Sequence, residues 1–249
     1  MVQILRSSFL RVALGLAIPF LANAELVITG VDDDLESNVR AFVALADEAC
    51  DAEQWLIRRR YRALEEEARE ALEPFGFYDP VVSSELNFGE TCWQARVNIE
   101  QGEPVRYREV ALRIDGAAAG DPVFKELAST HKLIPGEILR HADYERLKRA
   151  LQVRASDRGY VEARFTEKRF DVWPTDQAAD IILLFDSGPR YRIGEIHIEQ
   201  SFLDPAIIKG YLDLEAGTLF DSTDLVQAHR DLASSGYFGD VQVLADTDN

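Results

Sequence analysis

The sequence predicts an α+β chain built from tandem β-α-α-β-β units, each a three-stranded mixed sheet covered by two helices, with the third unit lacking its last strand. Three observations predict it. A Gly-aromatic elbow occurs three times, in EPFGFYDPVV, SDRGYVEARF and SSGYFGDVQV. A strand-like segment enters twice with similar wording, VRYREVALRI from Val105 and PRYRIGEIHI from Pro189. Between strand and elbow, an Asp-Pro pair marks a helix start at Asp121-Pro122 and again at Asp204-Pro205.

The chain opens with an apolar run, VALGLAIPFLANA, flanked at its start by Arg6 and Arg11 and closed by Ala22-Asn23-Ala24. This reads as a secretory signal peptide over residues 1–24, cleaved after Ala24. A single-spanning anchor is the alternative, but the run contains Gly15 and Pro19 and falls short of the roughly 20 residues a spanning helix needs. Its removal deletes two basic residues and no acidic one, taking the formal net charge from −17 to −19. A chain this acidic lacks the general basic surface that nucleic-acid binding requires.

Leu26-Val27-Ile28-Thr29-Gly30 reads as the end of the first unit's opening strand, with Ile28 and Gly30 in register with Ile114 and Gly116. The following VDDDLES lacks the acidic ladder and terminal Glu of a calcium loop and reads instead as a solvated helix cap. The elbow glycines are Gly76, Gly159 and Gly236, spaced by 83 and 77 residues. Four residues before them lie Leu72, Ala155 and Leu232, and eight before lie Ala68, Leu151 and Ala228, so an apolar helical stripe precedes every elbow. A residue just past a helix end often turns left-handed, which suits glycine, and the next residue (Phe77, Tyr160 or Tyr237) can pack back on the last turn. On the first of these helices Arg62–Glu66 and Glu65–Arg69 fall at i,i+4, as on a solvated face.

After each elbow a strand is expected. VEARFTEKRF, with Arg164, Glu167, Lys168 and Arg169, suits a sheet edge protected by charge. Ile181 to Phe185 is continuously apolar and reads as a central strand covered by helices. Trp93, Ala95, Val97 and Ile99 alternate, as one buried face requires. The third unit reaches Asp240-Val241-Gln242-Val243-Leu244-Ala245 with no strand after it, so the sequence reads as the front part of a longer protein.

Cys50 and Cys92 are the only cysteines, 42 residues apart, and in an exported chain they are candidates for a disulfide with each other. A pair of free thiols is the weaker alternative, since neither has a nearby His or a CxxC partner. The four histidines, His131, His141, His197 and His229, show no metal-ligand spacing, and His141 and His229 suit surface or capping roles. GxSxG, GxGxxG and GxxxxGK motifs are missing, so the expectation is a non-enzymatic protein without cofactor or metal.

Carried by Gly76-Phe77-Tyr78, Gly159-Tyr160, Gly236-Tyr237-Phe238 and the Arg-Tyr-Arg entries at 106–108 and 190–192, the chain resembles the POTRA domains of outer-membrane assembly and secretion proteins. The resemblance divides it into POTRA 1 at 25–101, POTRA 2 at 105–187 and an incomplete POTRA 3 at 189–249. Three units directly after a signal peptide look like the TamA family, with BamA-like and two-partner-secretion proteins as alternatives. The resemblance implies a periplasmic scaffold attached to the outer membrane through a downstream barrel that these residues do not include. Its implied partners are a TamB-like inner-membrane-anchored protein and nascent outer-membrane or autotransporter proteins, with a purely structural spacer as the rival role. The candidate edges for strand addition are Val81 to Phe88, Val161 to Phe170 and Val241 to Ala245, represented by Val81, Val82, Val161, Phe165, Val241 and Val243. The bland reading of each is an edge that meets solvent or the adjacent repeat.

Overall fold

The computed structural model describes residues 25–246 apart from Thr91 and Ser201. The predicted signal peptide lies outside the described residues. Strand β1 (Glu25–Thr29) leads into helix α1 (Asp33–Phe42), a 3-10 turn and helix α2 (Gln54–Leu72), then strands β2 (Val81–Phe88) and β3 (Trp93–Glu100). The same order follows in β4 (Arg106–Asp115), α3 (Pro122–Thr130), α4 (His141–Asp157), β5 (Arg164–Trp173) and β6 (Ala178–Asp186). Each sheet is mixed, in the orders β1-β3-β2 and β4-β6-β5. The last strand of each unit is therefore central, parallel to the first strand and antiparallel to its hairpin partner.

The predicted caps form. Asp32, Asp121 and Asp204 each accept a hydrogen bond from a backbone N–H in the first turn of the helix they precede. The predicted helical stripes are the packing faces: Ala68, Leu72, Leu151, Ala155, Ala228 and Leu232 are all buried. In β3 every second residue from Trp93 to Ile99 is buried, as alternation predicts. In β6 Ile181, Leu183 and Phe185 are fully buried while Ile182 and Leu184 are half-buried, so the helices cover one face of this central strand. The strand is central and covered by helices, as its apolar run predicts, with Phe124 of α3 and Leu147 and Leu151 of α4 in the same buried cluster as Ile181, Leu183 and Phe185.

A disulfide joins Cys50 to Cys92, tying the α1–α2 connection to the start of β3. The Trp93 indole N–H donates to Ala49 O at 3.1 Å and fixes the same junction.

The third unit has α5 (Pro205–Lys209) and α6 (Ser222–Ser234). Residues 194–200 and 241–246 belong to no strand among the described residues; Arg192 bridges Leu219, and Ile193 N–H donates to Thr218 O at 2.9 Å and its carbonyl accepts from Gly217 N–H at 2.7 Å. Among the described residues Val241 to Ala245 is not paired as a strand, so Val241 and Val243 do not lie on a formed sheet edge there. Their side chains remain half-buried.

Candidate docking edges and inter-repeat joints

The elbows are helix ends of the expected kind. Gly76, Gly159 and Gly236 have φ of +94°, +76° and +78°. At the first two, the following N–H reaches back to the helix: Phe77 donates to Leu72 O at 3.3 Å and Tyr160 to Ala155 O at 2.9 Å. Phe77 and Tyr160 are buried, whereas Tyr237 is half exposed, beside Tyr211.

The elbows also do something that the sequence does not announce. Val105 N–H donates to Gly76 O at 2.8 Å, and Tyr191 N–H donates to Gly159 O at 2.7 Å. Each entering chain then accepts from the loop that leads into its own unit's second helix: Leu139 N–H donates to Val105 O at 2.9 Å, and Phe220 N–H to Tyr191 O at 3.1 Å. The elbow of one unit is thus the socket for the next. A Cβ on Gly76 would stand 2.7 Å from Leu139 O, and one on Gly159 would stand 2.9 Å from Phe220 Cβ. No neighbour lies within 4 Å at Gly236.

These bonds also correct the alignment of the strand entries. Sequence places Tyr107 opposite Tyr191, but Arg106 and Arg192 are the structural equivalents, donating to Gly136 O at 3.0 Å and Gly217 O at 2.7 Å. Tyr107 is buried and bonded to Arg140, while Tyr191 occupies the place of Val105 and donates to Glu162 at 3.1 Å. The slip is two residues, the period of a strand, so the alternation of apolar positions could not expose it.

The two joints differ in chemistry. At the first, the Tyr78 hydroxyl lies 2.6 Å from His141 Nε2, and Arg140 stacks 5.0 Å from the Phe75 ring. Phe170 closes on the imidazole edge-on at 4.9 Å. Burial pushes His141 below its ordinary pKa, with Glu145 opposing. Burial, with a contribution from Glu73, pushes the Tyr78 phenol up to about 12.

The second joint is ionic. Buried Asp121 accepts from Arg158 Nε and from the Tyr160 hydroxyl, both at 2.9 Å, besides capping α3. Arg158 also reaches Asp221, the cap of α6, at 3.5 Å. Arg190, in the connection to the third unit, donates to Arg158 O at 2.7 Å and to Phe220 O at 3.0 Å. Burial would raise the Asp121 carboxyl, but the bonds from Arg158, Val123 N–H and Tyr160 outweigh it and hold it below the usual carboxylate range. Asp221 is lowered in the same sense: burial raises it, and its bonds from Thr223 overcome that. Sequence reading saw Asp121 only as a cap; an Asp-Pro pair says nothing about an arginine 37 residues on.

Of the predicted edges, β2 and β5 are outer strands, and among the described residues no other strand pairs with their open sides. β5 begins at Arg164, not Val161, because Tyr160 to Ala163 continue the elbow turn, with Ala163 N–H donating to Tyr160 O at 3.1 Å. Val161 is exposed but is not a strand residue. Phe165 lies on the strand with its ring turned inward, edge-on to Phe185 at 5.0 Å. A bulge at Thr166 interrupts the register, and Arg164 and Arg169 pair with Asp186 and Asp171. Charge and a bulge both discourage further pairing.

β2 has neither protection to that degree. It is in continuous register with β3 over all eight residues, with Val82 buried and Val81 exposed. Its outward row carries a single charge, Glu85.

Among the described residues no group of three or more His, Cys, Asp or Glu converges as a metal site, and no helix is long and apolar enough to cross a membrane. Comparison with solved structures finds the Haemophilus influenzae BamA POTRA3-5 fragment at 17% identity and a TM-score of 0.42, covering 92% of each chain. POTRA1-3 of the periplasmic domain of Omp85 from Anabaena matches at 17% identity and a TM-score of 0.31, over 88% of this chain and 86% of that one. The family model for the POTRA domain of TamA, domain 1, matches residues 25–101. With its β1-β3-β2 sheet and paired helices, the segment 25–101 is similar to that POTRA domain in sequence pattern and carries a strand order with its last strand central.

Proposed function

We propose that this chain is the periplasmic POTRA scaffold of a TamA-like outer-membrane protein, one that holds extended segments of a TamB-type partner or of client proteins by strand addition at β2. The observation that carries the reading is the open side of β2, regular over eight residues and unpaired by any strand among the described residues. The TamA-type family match at 25–101 supports the POTRA part of this reading. The reading makes the chain a scaffold rather than an enzyme, exported by residues 1–24, with the membrane reached only through a downstream barrel.

A structural spacer is the second reading, favoured by the repeated hydrogen-bonded joints at Gly76 and Gly159. Titration of the full chain with a strand-forming peptide, followed by backbone amide shifts, separates the two. Strand addition predicts shifts at residues 81–88 that exceed those at 164–173, and their loss in a Ser83→Lys, Asn87→Lys variant. Shifts at neither edge would leave only the spacer.

A further inference from the structure

The helix beside the open edge carries a charge pattern that bears on what the edge selects. Four residues of α2 touch β2 in succession. Arg58 lies 4.8 Å from the Phe88 ring, Tyr61 and Glu65 both bond the Ser84 hydroxyl, at 3.0 and 2.8 Å, and Arg69 reaches Val82 O at 3.5 Å. Their spacing of three, four and four residues is one helical stripe, so α2 runs antiparallel to β2 and forms one wall of its open side.

Charge along this wall is lopsided. At the Val82 end Arg69 is neutralised by Glu65 at 3.6 Å and Glu66 at 3.2 Å. The i,i+4 pair expected between Arg62 and Glu66 is not among the ion pairs of the described residues; Arg62 Nε instead donates to Arg58 O at 3.3 Å. Arg60 is taken by Glu48 at 3.0 Å. Arg58, Arg59 and Arg62 have no carboxylate within 4 Å among the described residues, and exposed Trp55 sits one turn before them. An uncompensated arginine cluster at one end of the groove, in a chain of formal net charge −17, is the local exception to its surface.

Resting on the strand-addition reading, we propose that the β2 edge is specific for an extended segment bearing a carboxylate side chain at its helix-facing position beside Phe88, held by Arg58 and Arg62. On that face the added strand sits next to Val82, Ser84, Leu86 and Phe88, and only the last of these lies under unpaired cations. The charges fix the placement of the segment along the groove, while backbone pairing supplies most of the affinity. An acidic protein segment is thereby distinguished from an arbitrary strand.

The test uses three nine-residue peptides of alternating Val and Thr, differing at one terminal helix-facing position that holds Glu, Gln or Lys. Each is titrated into the full chain, with amide shifts read over residues 54–72 and 81–88. The Glu peptide is expected to bind about tenfold tighter than the Lys peptide, with its largest shifts at Asn87 and Phe88 and the preference erased at high salt. Arg58→Gln should flatten the ranking and Arg58→Glu with Arg62→Glu should reverse it, folding of both variants being checked by the unchanged amide spectrum of β3. Equal binding of all three peptides with β2 still shifted overturns the charge specificity and leaves strand addition standing. Shifts confined to α2 overturn it as well, since the arginines would then act apart from the edge. No shift at β2 with any peptide removes both readings.

Discussion

Gly76 and Gly236 have similar backbone conformations and different surroundings, which makes the three elbows a natural experiment. Alanine at a left-handed position costs about 1 kcal/mol on conformational grounds alone. At Gly76 and Gly159 the added methyl would also meet Leu139 O and the Phe220 side chain at under 3 Å, whereas at Gly236 it meets open space. Gly76→Ala and Gly159→Ala should therefore each lower stability by roughly 2–4 kcal/mol, against about 1 kcal/mol for Gly236→Ala. Urea unfolding followed by circular dichroism measures the order; equal losses at all three would mean that the socket contacts contribute nothing. The sequence shows why each position is glycine as a helix terminator. It does not show that two of the three also receive a neighbouring chain, because Val105, Leu139 and Phe220 are brought there by folding.

At the scale of elements, the two joints are held by groups that titrate in different ranges. His141 at the first joint has a folded pKa below the ordinary 6.5, so the unfolded chain binds the proton more readily. Its contribution is present above pH 6.5 and is lost as pH falls below it; His131, lowered by burial in the same unit, adds to the trend. Asp121 and Asp221 at the second joint lie below the ordinary 3.8, so their contribution is present above that value and is lost only as pH falls further. As pH falls below 6.5 towards the carboxylate range, the contacts of Tyr78 and Phe170 with His141 should loosen before the Asp121–Arg158 cluster does. Side-chain NMR of the two clusters across that interval reads the difference, and His141→Gln should remove the share due to His141. Simultaneous loss of both clusters would contradict it. Sequence could identify His141 as lying beside a helix start. It could not supply the Tyr78 hydroxyl 63 residues away.

Across the whole molecule, order follows the central strands. β3 and β6 join the flanking strands of their units, and each unit has its own buried apolar cluster. Residues 194–200 and 241–246 have no such partner among the described residues. Amide hydrogen exchange should therefore be slow in β3 and β6 and faster by orders of magnitude in 194–200 and 241–246, since protection tracks paired and buried backbone. Comparable protection in all three units would show the extended stretches to be paired. The joints limit how far this difference propagates: Arg190 anchors the third unit's entry to Arg158 O and Phe220 O, so the elbow region at 158–160 should stay protected with the second unit.

What the sequence determined by itself was local and periodic. Apolar spacing set the buried faces of α2, α4 and α6, Asp-Pro pairs set helix starts, the elbow glycines set helix ends, and alternation in β3 set the face of the first sheet. These signals span a few residues and repeat with the period of the element that they encode. Only the tertiary structure decided which strand edges stay open, that Arg106 rather than Arg108 corresponds to Arg192, and that Asp121 joins Arg158 and Tyr160. Such facts depend on groups tens of residues apart meeting within hydrogen-bond distance. A strand slipped by two residues keeps the same apolar face, so pattern is blind to the slip, while a hydrogen bond with fixed length and direction is not.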